Sequence, residues 1–122
     1  MQISKDDSQN PFRIQSYEPG KIVINDHAFT SSLIISKTAL QTDWPPQRFA
    51  DLTMAHFDAL LTYPVKLVIF GTGPTQQFPH PSLYSNLLRQ GVAIEFMHSK
   101  AACHTFNILL SENRDVICVL LP

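Results

Sequence analysis

Residues 65–73 read Val65-Lys66-Leu67-Val68-Ile69-Phe70-Gly71-Thr72-Gly73. The tract Val65 to Phe70 is apolar at almost every position, which suits a strand covered on both faces in the middle of a partly parallel sheet rather than a strand with one wet side. The glycine-bearing loop at Gly71-Thr72-Gly73 then ends it. A similar unit follows: Val92 to Met97 reads as a strand, Met97-His98-Ser99 as a turn with Ser99 as helix cap, Lys100 to about Asn113 as a helix, and Asp115 to Leu121 as a closing strand.

Working outward, Tyr63-Pro64 ends a preceding helix from Met54 to about Thr62, capped by Thr53, in which Met54, Phe57, Leu60 and Leu61 share one face. Between Gly73 and the Val92 strand, Ser82 can cap a short helix through Gln90 that buries Leu83, Leu87 and Leu88 and stops at Gly91. Before Pro45-Pro46 the chain is β-rich. Phe12 to Tyr17 alternates, Pro19-Gly20 is a turn, Lys21 to Asn25 is a strand, and Asn25-Asp26 turns into Ala28-Phe29-Thr30. Leu33-Ile34-Ile35 is apolar on both faces and belongs deeper in a sheet, with Thr38 to Asp43 extending or pairing with it. A helix between that strand and the Val65 strand implies a right-handed parallel crossover. The expected fold is a single three-layer α/β domain over residues 1–122, with a central mixed sheet, flanking helices, a β-rich N-terminal section and a frayed start at residues 1–10.

A chain of 122 residues with a formal net charge of -1 is long enough for its own core, and its nine basic residues are scattered among ten acidic ones. That distribution argues against nucleic-acid binding, which needs clustered cations. No apolar run approaches the roughly 20 residues that cross a bilayer, so the protein is not expected to be integral to a membrane. The polar start Met1 to Asn10, with Asp6 and Asp7, lacks the features of an export or mitochondrial signal, and a cytoplasmic location is expected. Cys103 and Cys118 have no CxxC spacing and read as buried thiols.

The ordered set Gly71-Thr72-Gly73, then Gly91-Val92-Ala93-Ile94-Glu95, then Ala102-Cys103-His104-Thr105-Phe106-Asn107, and Glu112-Asn113-Arg114 resembles the uncharacterised family that includes mitochondrial respiratory complex I assembly factor 3. The resemblance runs from about Tyr17 onward. It implies a compact α/β domain and protein partners, without a known activity or cofactor. His98 departs from the small or acidic residue usual in that family, and His104 from its common Arg.

Two functional readings stay open. In the first, the chain is a non-enzymatic protein-interaction or assembly module. In the second, a crevice at the carboxyl ends of the central strands, formed by Gly71, Thr72, Gly73, His98, Ser99 and Asn107, takes a small anionic metabolite, because loops and helix starts at that edge offer free amides. A dinucleotide is excluded by Gln76 where the fingerprint needs glycine and by Pro74. Cys103 and His104 point about 100° apart on a helix and cannot work as nucleophile and base. Two imidazoles, His98 and His104, make no zinc site by themselves. No cofactor, metal or catalytic residue is expected. On the last helix, Lys100, His104, Asn107 and Ser111 form a polar stripe opposite Ala102, Phe106 and Leu109. Asn107, an amide in mid-helix, calls for a specific hydrogen bond.

Overall fold

In the computed structural model, which describes residues 12–122, the chain makes two sheets and three helices. The start expected to be frayed, residues 1–10, lies outside the described residues. Strands β1 (Ile14–Glu18), β2 (Lys21–Ile24) and β3 (His27–Phe29) form an antiparallel meander. Gly20 at φ 83° closes its first turn, and Asn25 and Asp26 at φ 45° and 68° close the second. Both central residues of that second turn are left-handed, the conformation of a two-residue hairpin loop whose twist matches its strands. A register shift between Ile14 and Ser16 breaks the alternation of β1. This bulge turns Tyr17 inward beside Phe12 and Ile14.

The main sheet contains β4 (Leu33–Ile35), β5 (Leu40–Gln41), β6 (Leu67–Gly71), β7 (Ala93–Met97) and β8 (Ile117–Leu120), in the order β5-β4-β8-β6-β7. Strand β6 is parallel to both neighbours, whereas β4 is antiparallel to β8. The central, doubly covered strand expected at Val65 to Phe70 is therefore present, shifted by one or two residues. The first helix does lead into β6 from a parallel strand, but that strand is β5, three places away at the sheet edge, whereas the apolar β4 runs antiparallel to β6. The last strand, buried at all four positions, inserts between β4 and β6.

Alternation along these strands sorts the core into two layers. Leu33, Ile35, Ile69, Cys118 and Leu120 face the meander and helix α3 (Ser99–Ser111), meeting Ile22, Ile24, Ala102 and Phe106. Ile34, Val68, Phe70, Ile117 and Val119 face helices α1 (Met54–Asp58) and α2 (Ser85–Arg89), meeting Trp44, Phe57, Leu60 and Leu87. The sheet is thus the middle of three layers.

Helix α1 is shorter than its apolar pattern suggests and continues as a 3-10 turn at Ala59–Thr62. The tighter winding changes the angular spacing. Phe57 and Leu60 are buried, while Met54 and Leu61 remain on the surface. The second helix begins as a 3-10 turn at Pro81–Tyr84, capped by His80 rather than Ser82, and Leu88 faces solvent. Gly91, at φ 79°, stops α2 as expected. Val92 N donates to Leu87 O at 2.9 Å and Gly91 N to Leu88 O at 3.0 Å, the paired bonds of a Schellman motif. Asn113, at φ 60°, ends α3 in the same way, with Arg114 N bonding Leu109 O and Asn113 N bonding Leu110 O.

Candidate functional site

Strands β6 and β7 end side by side, with Gly71 opposite Met97, so their loops do emerge at one sheet edge. Thr72 N donates to Met97 O at 2.8 Å and carries the ladder one residue further. Ser99 then takes the centre. Its amide donates to Gly73 O at 2.8 Å, while its hydroxyl accepts from Gly73 N and donates to Leu121 O, both at 2.8 Å. Leu121 N in turn donates to Gly71 O at 3.0 Å. One buried hydroxyl therefore stitches the β6 loop, the end of β8 and the start of α3.

This closeness explains Gly71. A Cβ there would lie 2.8 Å from Leu120 Cδ2, 2.8 Å from Ser99 Oγ and 2.9 Å from Ser99 Cα, so any side chain would push the helix off the sheet. Gly73 sits at φ 93°, a left-handed conformation that suits glycine. Thr72 is buried, and its Oγ1 donates to Thr75 O at 2.7 Å and accepts from Gln77 N at 3.1 Å. Thr72 and Ser99 are both buried where the two loops meet.

Ser99 is not the cap of α3. His98 holds that position, with extended backbone at φ -63°, ψ 156°, and its Nδ1 accepts from Ala101 N at 3.1 Å. Asn107 stands two turns further along α3 and does not join the loops. It grips β1 instead: Ile14 N donates to its Oδ1 at 3.2 Å and its Nδ2 donates to Ile14 O at 2.7 Å. The amide thus supplies the two bonds a neighbouring strand would offer at the bulge. Of the six residues expected in the crevice, Gly71, Thr72, Gly73 and Ser99 are brought together, His98 lies exposed at their rim, and Asn107 serves another contact. Replacing Asn107 with Leu, which keeps the bulk and removes both bonds, is expected to cost about 1–2 kcal/mol in urea unfolding.

Burial governs the ionisable groups nearby. It pushes the Cys103 thiol up to about 12 and holds Cys118 well above the ordinary thiol range. Neither supplies thiolate near neutral pH, and His104, next to Cys103, points to solvent. Burial likewise raises Tyr17, an effect opposed by the nearby Ser99 hydroxyl. Tyr17 Oη lies on the same side of the junction yet lacks a partner at hydrogen-bonding geometry. Among the described residues no three His, Cys, Asp or Glu side chains gather as a metal site requires, and no helix is long and apolar enough to cross a membrane. Sequence reasoning missed the capping roles of His56 and His80. Pro81, at the first helical position after His80, was the available signal for the latter.

A mixed five-stranded sheet with one β-meander face and one helical face, locked by a buried serine at its carboxyl edge, defines a three-layer α/β domain. The chain belongs to the family described as "Protein of unknown function (DUF498/DUF598)", whose profile matches residues 14–121. It is 27% identical over 122 residues to the "13 kDa major membrane protein" of Francisella tularensis, covering 99% of each chain. It is also 27% identical to "NADH dehydrogenase (ubiquinone) 1 alpha subcomplex assembly factor 3" of Xenopus tropicalis, over 98% of this chain and 66% of that protein. The mouse protein of the same name is 28% identical over 89% of this chain and 60% of its own length. The chain therefore spans about two thirds or less of these assembly factors. Among solved structures, a Bordetella parapertussis protein superposes with a TM-score of 0.86 at 31% identity, covering 94% of this chain and 98% of that one. A Xanthomonas campestris protein does so at 0.82 and 29%, covering 90% and 83%.

Proposed function

We propose that the chain works as a protein-interaction module of the assembly-factor type, holding a partner rather than turning over a substrate. The observation that carries this reading is the similarity to the complex I assembly factor 3 proteins along nearly the whole chain. Phe78 is 69% exposed and Leu88 51% exposed, which makes Phe78 the first side chain to test as a docking contact. The anionic-ligand alternative is less well supported. Its loops meet through Ser99, whose hydroxyl already serves Gly73 and Leu121.

Affinity purification of the unsubstituted chain from its native host is expected to recover one partner in stoichiometric amount. Phe78→Asp, which alters no buried contact, is expected to reduce that recovery severalfold while leaving the unfolding midpoint in place. Failure of the unsubstituted chain to retain any stoichiometric partner would sink the reading.

A further inference from the structure

Strand β7 stands at one end of the main sheet, with β6 on one side and, among the described residues, no strand on the other. Ala93 N donates to Lys66 O at 2.8 Å and Met97 O accepts from Thr72 N at 2.8 Å. Peptide groups alternate along a strand, so Ala93, Glu95 and Met97 turn theirs toward β6 while Ile94 and Phe96 turn theirs outward. Phe96 O accepts from Gln76 Nε2 at 3.3 Å. Among the described residues Ile94 N, Ile94 O and Phe96 N meet no partner across that edge. The other edges offer less. β3 has three residues and β5 two, and the outer edge of β1 is already bonded at Ile14 by Asn107.

We propose that a partner protein docks by laying an extended segment along β7 as an added strand of the main sheet, with a lysine or arginine of that segment beside Glu95. This mode of docking rests on the protein-interaction reading above and specifies how the partner is held, backbone to backbone by strand addition. An open edge is a template for pairing, because its amides and carbonyls are already spaced for another strand.

The side chains of β7 set the chemistry of that segment. Ile94 and Phe96 face the helical layer, where Ile94 is only partly covered. Ala93 and Glu95, on the opposite face, are exposed. Residues side by side on adjacent strands share a face, so the added strand alternates, apolar beside Ile94 and basic beside Glu95. Among the described residues Glu95 has no cation within 4 Å to compete for it. A second copy of the chain suits this edge poorly. Two-fold antiparallel pairing of Ile94 with Phe96 sets Glu95 directly opposite its own copy, and like charges facing each other across strands are destabilising. Centring the pair on Ile94 brings in Val92, whose amide already bonds Leu87 O at 2.9 Å. Centring it on Phe96 needs the carbonyl that Gln76 holds.

Amide exchange followed by NMR, with short end-capped peptides that alternate valine with lysine, tests the edge in the unsubstituted chain. Saturating peptide is expected to slow exchange at Ile94 and Phe96 about tenfold while leaving Ile69, inside the same sheet, unchanged. The same peptide N-methylated along its backbone keeps its charge but cannot approach a strand edge, and is expected to give no protection. A peptide alternating valine with glutamate is expected to fail as well, and Glu95→Lys to reverse the preference between the two charged peptides. No protection from the valine-lysine peptide, equal protection from its N-methylated form, or an unreversed preference in Glu95→Lys would overturn the proposal. Protection of Ile94 and Phe96 in a peptide-free dimer would overturn it in favour of a second copy. Purification from the native host separates this claim from the broader one. A stoichiometric partner retained equally by Glu95→Lys would leave the interaction module standing and remove the β7 edge as its means, whereas loss of that partner from Glu95→Lys, with the unfolding midpoint in place, supports the edge.

Discussion

Replacing Phe70 with Ala is expected to destabilise the protein by about 3–5 kcal/mol, the range for removing a fully buried aromatic side chain. Phe70 is inaccessible to solvent at the centre of β6. Its ring lies 5.4 Å from Phe57, 5.3 Å from Phe96 and 6.1 Å from Trp44, centroid to centroid. Those neighbours come from α1, from β7 and from the segment before α1, so the cavity would open where three parts of the chain meet and none can close it alone. A domain of this size has roughly 5–15 kcal/mol in total. Urea unfolding of the variant should therefore begin at very low denaturant. The sole tryptophan, Trp44, reports on the same layer, and its fluorescence is expected to change in folded Phe70→Ala. Phe106→Ala, on the other side of the sheet, is expected to have a similar cost with native tryptophan emission unchanged. A loss below about 1.5 kcal/mol for Phe70→Ala would mean that the layer repacks and does not depend on this ring.

Strand β6 was legible because local composition carries its position: a run without polar residues has to be covered on both faces. The two hairpin turns at Pro19-Gly20 and Asn25-Asp26 were legible for an equally local reason, backbone conformations that few residues adopt. What the sequence could not convey were contacts made at long range. Nothing in Ile117-Cys118-Val119-Leu120 says that this last strand slips between β4 and β6, since apolar strands look alike whichever neighbours they take. Ser99 has the pattern of a helix cap, yet the residue before it took the extended backbone, and the real partners of its hydroxyl lie 26 and 22 positions away. An amide in mid-helix calls for a specific bond, but the partner of Asn107 is Ile14, 93 positions away, and nothing near Asn107 in the sequence points to it.

Ser99→Ala is expected to cost about 2–4 kcal/mol, more than the loss of one exposed hydrogen bond, because it strands two partners at once. The Gly73 amide and the Leu121 carbonyl are both bonded to this hydroxyl in a buried setting, and each would face the desolvation cost of an unmet polar group. Water is poorly placed to help: Ser99 itself is fully buried, and Gly71 is left without a side chain so that the two backbones can touch. The His98 cap does not pass through the Ser99 hydroxyl, so α3 should keep its length and its helical signal. The loss is expected instead at the tether between helix and sheet edge. Hydrogen exchange distinguishes this from general weakening: in the variant the Gly73 amide should exchange through local opening, while Ile69 and Cys118, deep in the same sheet, exchange only with global unfolding. If Gly73 and Cys118 lost protection in equal measure, Ser99 would be an ordinary core contact and not the point at which the loop, the last strand and the helix are joined.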